Sequence, residues 1–238
     1  YDYQGKYLFK ASIRKDGSSR FGKANRYGVF PAFSAGWVLS KEDFLSSSDV
    51  ISLLKLRASW GKTGNAEIGN FASRDLWNAA SYKQLPAIEP AQPESPNLTW
   101  EKSSQTDIGL DFGVFNNRVS GEIDFYNKKT NGLLFYQNIP YTSGYSNIYR
   151  NIGDMKNTGF EMVINTQNIK KDNFTWDTNF NVAKNNNEIT ALPDDNRDQI
   201  IGNVIRRVGE RLDSFYLVEY AGVDPNKGDA LFYKNTLN

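Results

Sequence analysis

The chain has 238 residues, with 28 basic and 27 acidic side chains spread along it, so neither a basic stripe for nucleic acid nor a like-charged tail is present. Cysteine and histidine are absent, which removes disulfides, thiolate chemistry, the commonest zinc ligand and the commonest general base. Mean hydropathy is −0.59, and no apolar run approaches the roughly 18 residues of a membrane helix. A sheet whose strands alternate apolar with polar residues escapes that test, because the two faces cancel in the average. Aromatic residues at 14%, with 19 glycines and abundant asparagine, describe a chain rich in strands and turns.

Period-two alternation predicts seven strands in chain order. The first sets Tyr7, Phe9, Ala11 and Ile13 against Lys6, Lys10, Ser12 and Arg14. The second joins Val29, Phe33, Ala35 and Trp37, with Phe30 and Val38 breaking the pattern. Leu54, Leu56, Ala58 and Trp60 form the third apolar face; Ile108, Leu110, Phe112 and Val114 form the fourth and sharpest. The fifth carries Val119, Gly121, Ile123 and Phe125, opposite Ser120, Glu122, Asp124 and Tyr126. Phe160, Met162 and Ile164 mark the sixth, and Phe174, Trp176, Phe180 and Val182 the seventh. An irregular eighth is placed near Ser214–Ala221.

The connections alternate in length. The tight turn Phe115–Arg118, the short link Gln167–Asn173 and the moderate connection Ser40–Ile51 fall at one end of a meander. The long connections, over 15–26, 62–97, 128–158 and from Asn185 onward, fall at the other. Short turns on one side and long loops on the other characterise outer-membrane barrels. Even strand spacing also suits a soluble sandwich or propeller. Against these stand strands of roughly 9–12 residues, the length of a tilted membrane strand. Aromatics near the ends of the apolar faces, such as Tyr7, Trp37, Trp60, Trp100, Phe125 and Trp176, suit interfacial girdles. The fold class expected is therefore all-β, an antiparallel up-and-down transmembrane barrel segment. The competing architecture is a soluble all-β carbohydrate-binding module.

Particular phrases then carry a resemblance. The run from Ser52 to Asn65 (SLLKLRASWGKTGN) resembles a barrel strand and loop entry of the SusC/RagA family of TonB-linked outer-membrane transporters in Bacteroidetes. Pro96–Lys102, Thr106–Asp111, Asp124–Thr130, Asn151–Glu161 and Ala221–Asp229 are similar to later family phrases, in the family's order. The resemblance implies an interior-to-C-terminal part of a 22-stranded barrel, seven or eight strands of it, with residues 1–238 a partial barrel domain. The plug domain, the TonB-contacting segment and the closing C-terminal strand would lie outside this stretch. It further implies import of oligosaccharides or oligopeptides, a SusD-like lipoprotein lid, and TonB as the source of force. The location implied is the outer membrane in contact with its lipid, with no enzyme activity and no cofactor.

Other motifs resolve into turns and strands. Gly61-Lys62-Thr63 lacks the first glycine of a phosphate loop, Leu56 standing there. Asp224–Asp229 lacks the glycine of a calcium loop at its sixth position, and Asn235 replaces the final glutamate. Asp107 with Asp111, and Glu122 with Asp124, share strand faces as a lumen lining would, and no catalytic or metal residues are assigned. The long loops carry Trp77, Tyr82, Tyr136, Tyr141, Tyr145 and Tyr149. Such rings suit stacking on sugars or gripping peptide side chains; packing loop against loop is the competing use.

Overall fold

A computed structural model describes residues 1–234. The chain opens with the stub β1 (Asp2–Tyr3), then β2 (Tyr7–Gly17), β3 (Tyr27–Val38) and β4 (Ile51–Asn65). A loop hairpin follows, β5 (Leu76–Tyr82) and β6 (Leu85–Gln92), before β7 (Glu101–Val114) and β8 (Val119–Asn131). A second hairpin, β9 (Leu134–Asn138) and β10 (Asn147–Asn151), precedes the longest pair, β11 (Asp154–Lys171) and β12 (Phe174–Ala191). Short pieces complete the described residues: β13 (Gln199–Ile201), β14 (Val204–Arg206), β15 (Ser214–Phe215), β16 (Tyr220–Val223) and β17 (Ala230–Phe232).

One eight-stranded antiparallel sheet holds β1-β2-β3-β4-β7-β8-β11-β12 in that order, so neighbours in the wall are neighbours in sequence once the loop hairpins are set aside. Register puts the expected apolar residues side by side. Ala35, Ala58, Ile108, Phe125 and Phe160 form one continuous row across five strands. That face is open: Phe33, Ile108, Phe125 and Phe180 are all more than half exposed, and none of the smaller described sheets joins the wall. A soluble sandwich would cover these side chains with a second layer. A membrane wall leaves them for lipid, and that alternative architecture is set aside.

Three expectations are corrected. The irregular stretch Ser214–Ala221 is not a wall strand; Ser214–Phe215 pairs with β14 and Tyr220 with Phe232 of β17. The eighth member of the wall is instead β1. Wall strands also outrun their predicted ends, β4 reaching Asn65, β11 beginning at Asp154 and β12 reaching Ala191. The reason is physical: alternation is required only where one face meets lipid, whereas ladder hydrogen bonds continue into the aqueous zone with polar residues on both faces.

Glycine and large rings share close quarters. Phe112 lies over Gly121 and Tyr126 over Gly159; a Cβ at Gly159 would collide with the Tyr126 ring, and one at Gly121 would collide with the Val163 carbonyl and press on the Phe112 ring. This covers bare backbone with an aromatic from the neighbouring strand. The tight turn after β7 runs through three left-handed residues, Phe115, Asn116 and Asn117. Two of the three are asparagine, which tolerates that conformation. Phe30, which broke the predicted alternation, points inward and is buried with Phe21, Ile68, Ala72, Leu98 and Trp100. This small core lies at the long-loop end and binds the loops to the strands beneath. Among the described residues no helix is long and apolar enough to cross a membrane.

Candidate functional site: the inner face and the mouth loops

The inner face of β4, β7 and β8 carries a charge network predicted only as a set of carboxylates. Arg57 Nε donates to Asp111 Oδ1 at 2.6 Å and Nη2 to Asp124 Oδ2 at 3.1 Å. Lys55 Nζ lies 3.3 Å from Asp111, and Glu122 is 3.8 Å from Arg57. The Ser59 hydroxyl and the Gln105 amide both donate to Asp107, at 2.9 and 2.6 Å. These carboxylates are neutralised or hydrogen-bonded and partly wet, which suits a passage lining better than acid–base chemistry. Among the described residues no group of three or more metal-ligating side chains converges. On β11 and β12 the inner face is mostly amide, with Asn187 donating to Asn157 and Asn179 to Asn165.

At the long-loop end, residues 66–100 and 132–153 are tied together at three heights. At the base, Thr99 N donates to Asn151 Oδ1 and Asn151 Nδ2 returns a bond to Thr99 O, both at 2.7 Å. Asn151 Nδ2 also reaches Gly132 O at 3.0 Å. Higher up, the Ser95 hydroxyl donates to the Tyr149 carbonyl at 2.8 Å. At the tip of the β9–β10 hairpin, the Tyr145 hydroxyl donates to Asp75 Oδ1, at the foot of the β5–β6 hairpin, at 3.1 Å. A further loop joins through Arg206, whose guanidinium lies 4.5 Å from the centre of the Phe135 ring.

The six candidate aromatics divide by this geometry. Trp77 is 53% exposed, and its indole N–H donates to Asp75 Oδ2 at 3.2 Å, so it shares a carboxylate with Tyr145. Partial loss of water around the Tyr145 hydroxyl, then the Asp75 carboxylate, holds that phenol above its ordinary value. Tyr136 and Tyr149 form a tilted pair with ring centres 4.6 Å apart, and Tyr149 packs against the small core. Tyr82 and Tyr141 stand exposed at loop tips. The fold thus brings Trp77 with Tyr145, and Tyr136 with Tyr149. Asp75, which organises the first pair, gave no signal beyond lying two residues before Trp77.

The remaining motifs behave as turns and strands. Gly61-Lys62-Thr63 lies inside β4, with Lys62 Nζ 5.8 Å from the centre of the Trp60 ring. In Asp224–Asp229, Asp224 Oδ1 accepts from Asn226 N at 2.8 Å and Gly228 takes a left-handed φ of 75°. Asn235 lies outside the described residues.

Comparison with known proteins gives concordant results. Residues 1–226 match the family model described as TonB dependent receptor-like, beta-barrel. TonB-dependent receptor P39 of Formosa agariphila is 42% identical over 224 residues, covering 94% of this chain and 22% of that protein. TonB-dependent receptor SusC of Bacteroides thetaiotaomicron is 41% identical over 201 residues, or 81% of this chain and 20% of its own length. Among solved structures, the RagAB peptide transporter superposes with a TM-score of 0.90 at 34% identity, covering 97% of this chain and 26% of that one. The chain therefore spans about a fifth to a quarter of the relatives it matches.

Proposed function

This chain belongs to the TonB-dependent receptor β-barrel family of Gram-negative outer membranes, and on that footing we propose that it forms part of the wall and mouth of an energy-coupled importer. Residues 1–238 are one portion of the barrel domain; the plug, the TonB-contacting segment and the closing strand are supplied by other parts of the polypeptide. The ligand is an oligosaccharide or an oligopeptide, and a SusD-like lipoprotein covers the mouth. The peptide importer among the structural relatives supports the second ligand class, and the likeness to SusC supports membership of the lidded group.

The observation that carries this reading is the two-faced sheet. One side is a continuous apolar row fit for lipid. The other is lined by Lys55, Arg57, Asp111, Asp124 and a run of asparagines that keep a passage wet. In that passage the mouth aromatics, Trp77 and Tyr145 first, then Tyr136, Tyr149, Tyr82 and Tyr141, are the ligand contacts. The test is uptake by cells expressing the full-length protein with its lid. Trp77→Ala is expected to raise the half-saturating ligand concentration, whereas loss of the proton-motive force abolishes uptake altogether. Uptake that continues unchanged in de-energised cells would contradict an energy-coupled importer.

A further inference from the structure

We infer that Asp75 positions the mouth site, latching the tip of the β9–β10 hairpin to the foot of the β5–β6 hairpin and fixing the Trp77 indole; the inference rests on the reading of those loops as the ligand-facing mouth. Asp75 sits immediately before β5, and its two carboxylate oxygens are divided between donors from separate loops. Oδ2 takes the Trp77 indole N–H and Oδ1 takes the Tyr145 hydroxyl, 70 residues away in sequence. Neighbouring Arg74 does not compete, since its guanidinium lies 5.5 Å from the centre of the Phe71 ring.

The three ties between these loops differ in kind. The lower two use backbone groups and are partly buried. The tip tie joins two side chains in exposed surroundings, so it can open while the base stays closed. A carboxylate is the one common side chain that accepts from two donors at once and offers no competing proton. Because its N–H is already anchored, Trp77 presents its exposed ring face in one orientation, and less rotamer freedom is lost when a ligand lands on it. Asp75 therefore acts through Trp77 and Tyr145 without touching the ligand itself.

The test uses the full-length transporter with its lid, measured by amide hydrogen exchange and by binding of maltohexaose and of a mixed hexapeptide pool. Asp75→Asn cannot accept from both donors, and Tyr145→Phe removes one of them. Each is expected to speed exchange over 75–82 and 141–147 about tenfold, the consequence of losing one net hydrogen bond of about 1.4 kcal/mol, while the Thr99 amide is unchanged. The double variant should add nothing further, and Asp75→Glu should recover part of the protection. For whichever probe binds, Asp75→Asn should raise the half-saturating concentration and leave the maximal uptake rate alone. Wild-type exchange in both loops of Asp75→Asn and Asp75→Ala would overturn the latch, even if Trp77→Ala weakened binding. Loosened loops in Asp75→Asn with both probes indifferent to Trp77→Ala would uphold the latch and overturn the ligand-contact reading.

Discussion

Arg57 on β4 reaches across the backbone of Gly109 on β7 to pair with Asp124 on β8, 3.1 Å from its carboxylate. The three residues lie in one register row, and glycine in the middle leaves the crossing clear of side chains. A Cβ at Gly109 would lie 2.9 Å from Arg57 Cζ and closer still to Asp124.

Gly109→Ala should therefore break the bridge without touching either charge. The atoms it meets are the free ends of two flexible, partly wet side chains that can move aside, so the expected loss of barrel stability is about 0–1 kcal/mol, the range of an exposed ion pair. Urea unfolding of the full-length protein in lipid measures it. Asp124→Ser, which removes the pair outright, should cost about as much, because the pair is partly wet and screened. A clearly larger loss in Gly109→Ala would show that the glycine does more than leave room for the bridge.

The lipid-facing row makes a second prediction. Leu56→Arg or Ile108→Arg places a charge on the exposed apolar face, where the cost at the bilayer midplane is about 2–4 kcal/mol. The same change at Ser59, on the inner face beside Asp107, should cost far less. Folding yield into vesicles, compared across the three variants, reads out which face meets lipid.

The loop base can be tested at Asn151. Asn151→Asp keeps the shape but loses both donated bonds, to Thr99 O and Gly132 O, and sets a negative charge against those carbonyls. The expected local penalty is about 1–3 kcal/mol, the range for stranding such groups. It should appear as faster exchange at the Thr99 amide and easier proteolysis within 132–153. Strands β11 and β12 should keep their protection.

At the opposite end, Glu42 accepts from the Trp37 indole at 2.9 Å and from Lys6 at 3.2 Å, with Asp43 3.7 Å from the same ammonium. The Trp37 donor first, then the Tyr7 hydroxyl and Lys6, hold the Glu42 carboxyl below its ordinary value. A depressed carboxylate contributes stability that is present above its unfolded value and is lost as pH falls through the folded one. The short-turn end should accordingly loosen on acidification below about pH 4, near and beneath the ordinary glutamate value. The Lys6 ammonium, raised chiefly by its bond to Glu42, carries the opposite sign at the alkaline limit. Trp37 emission followed from pH 7 to 3 reads the acid transition, and Glu42→Gln should flatten it.

Much of the wall was legible because its signal is local. Alternation of period two at Ile108–Val114 or Val119–Phe125 needs no knowledge of partners, since lipid lies on one side and water on the other along that part of the strand. Loop lengths assigned the ends, and short phrases such as Asn151–Glu161 placed the chain in its family. The aromatic candidates were legible as exposed rings in loops, but their pairing was not: Trp77 and Tyr145 meet through Asp75 across 70 residues of sequence. Nor did the strand ends follow from hydropathy, because ladder bonds outlast the lipid boundary. Phe30 looked like a flaw in its strand until the loops folded over it and Trp100 closed the core. Composition and periodicity thus determined a membrane-facing sheet with its long loops on one side. Only the tertiary structure decided which inner charges cross over a glycine and which loop residues hold the mouth together, since both depend on register and on contacts between distant segments.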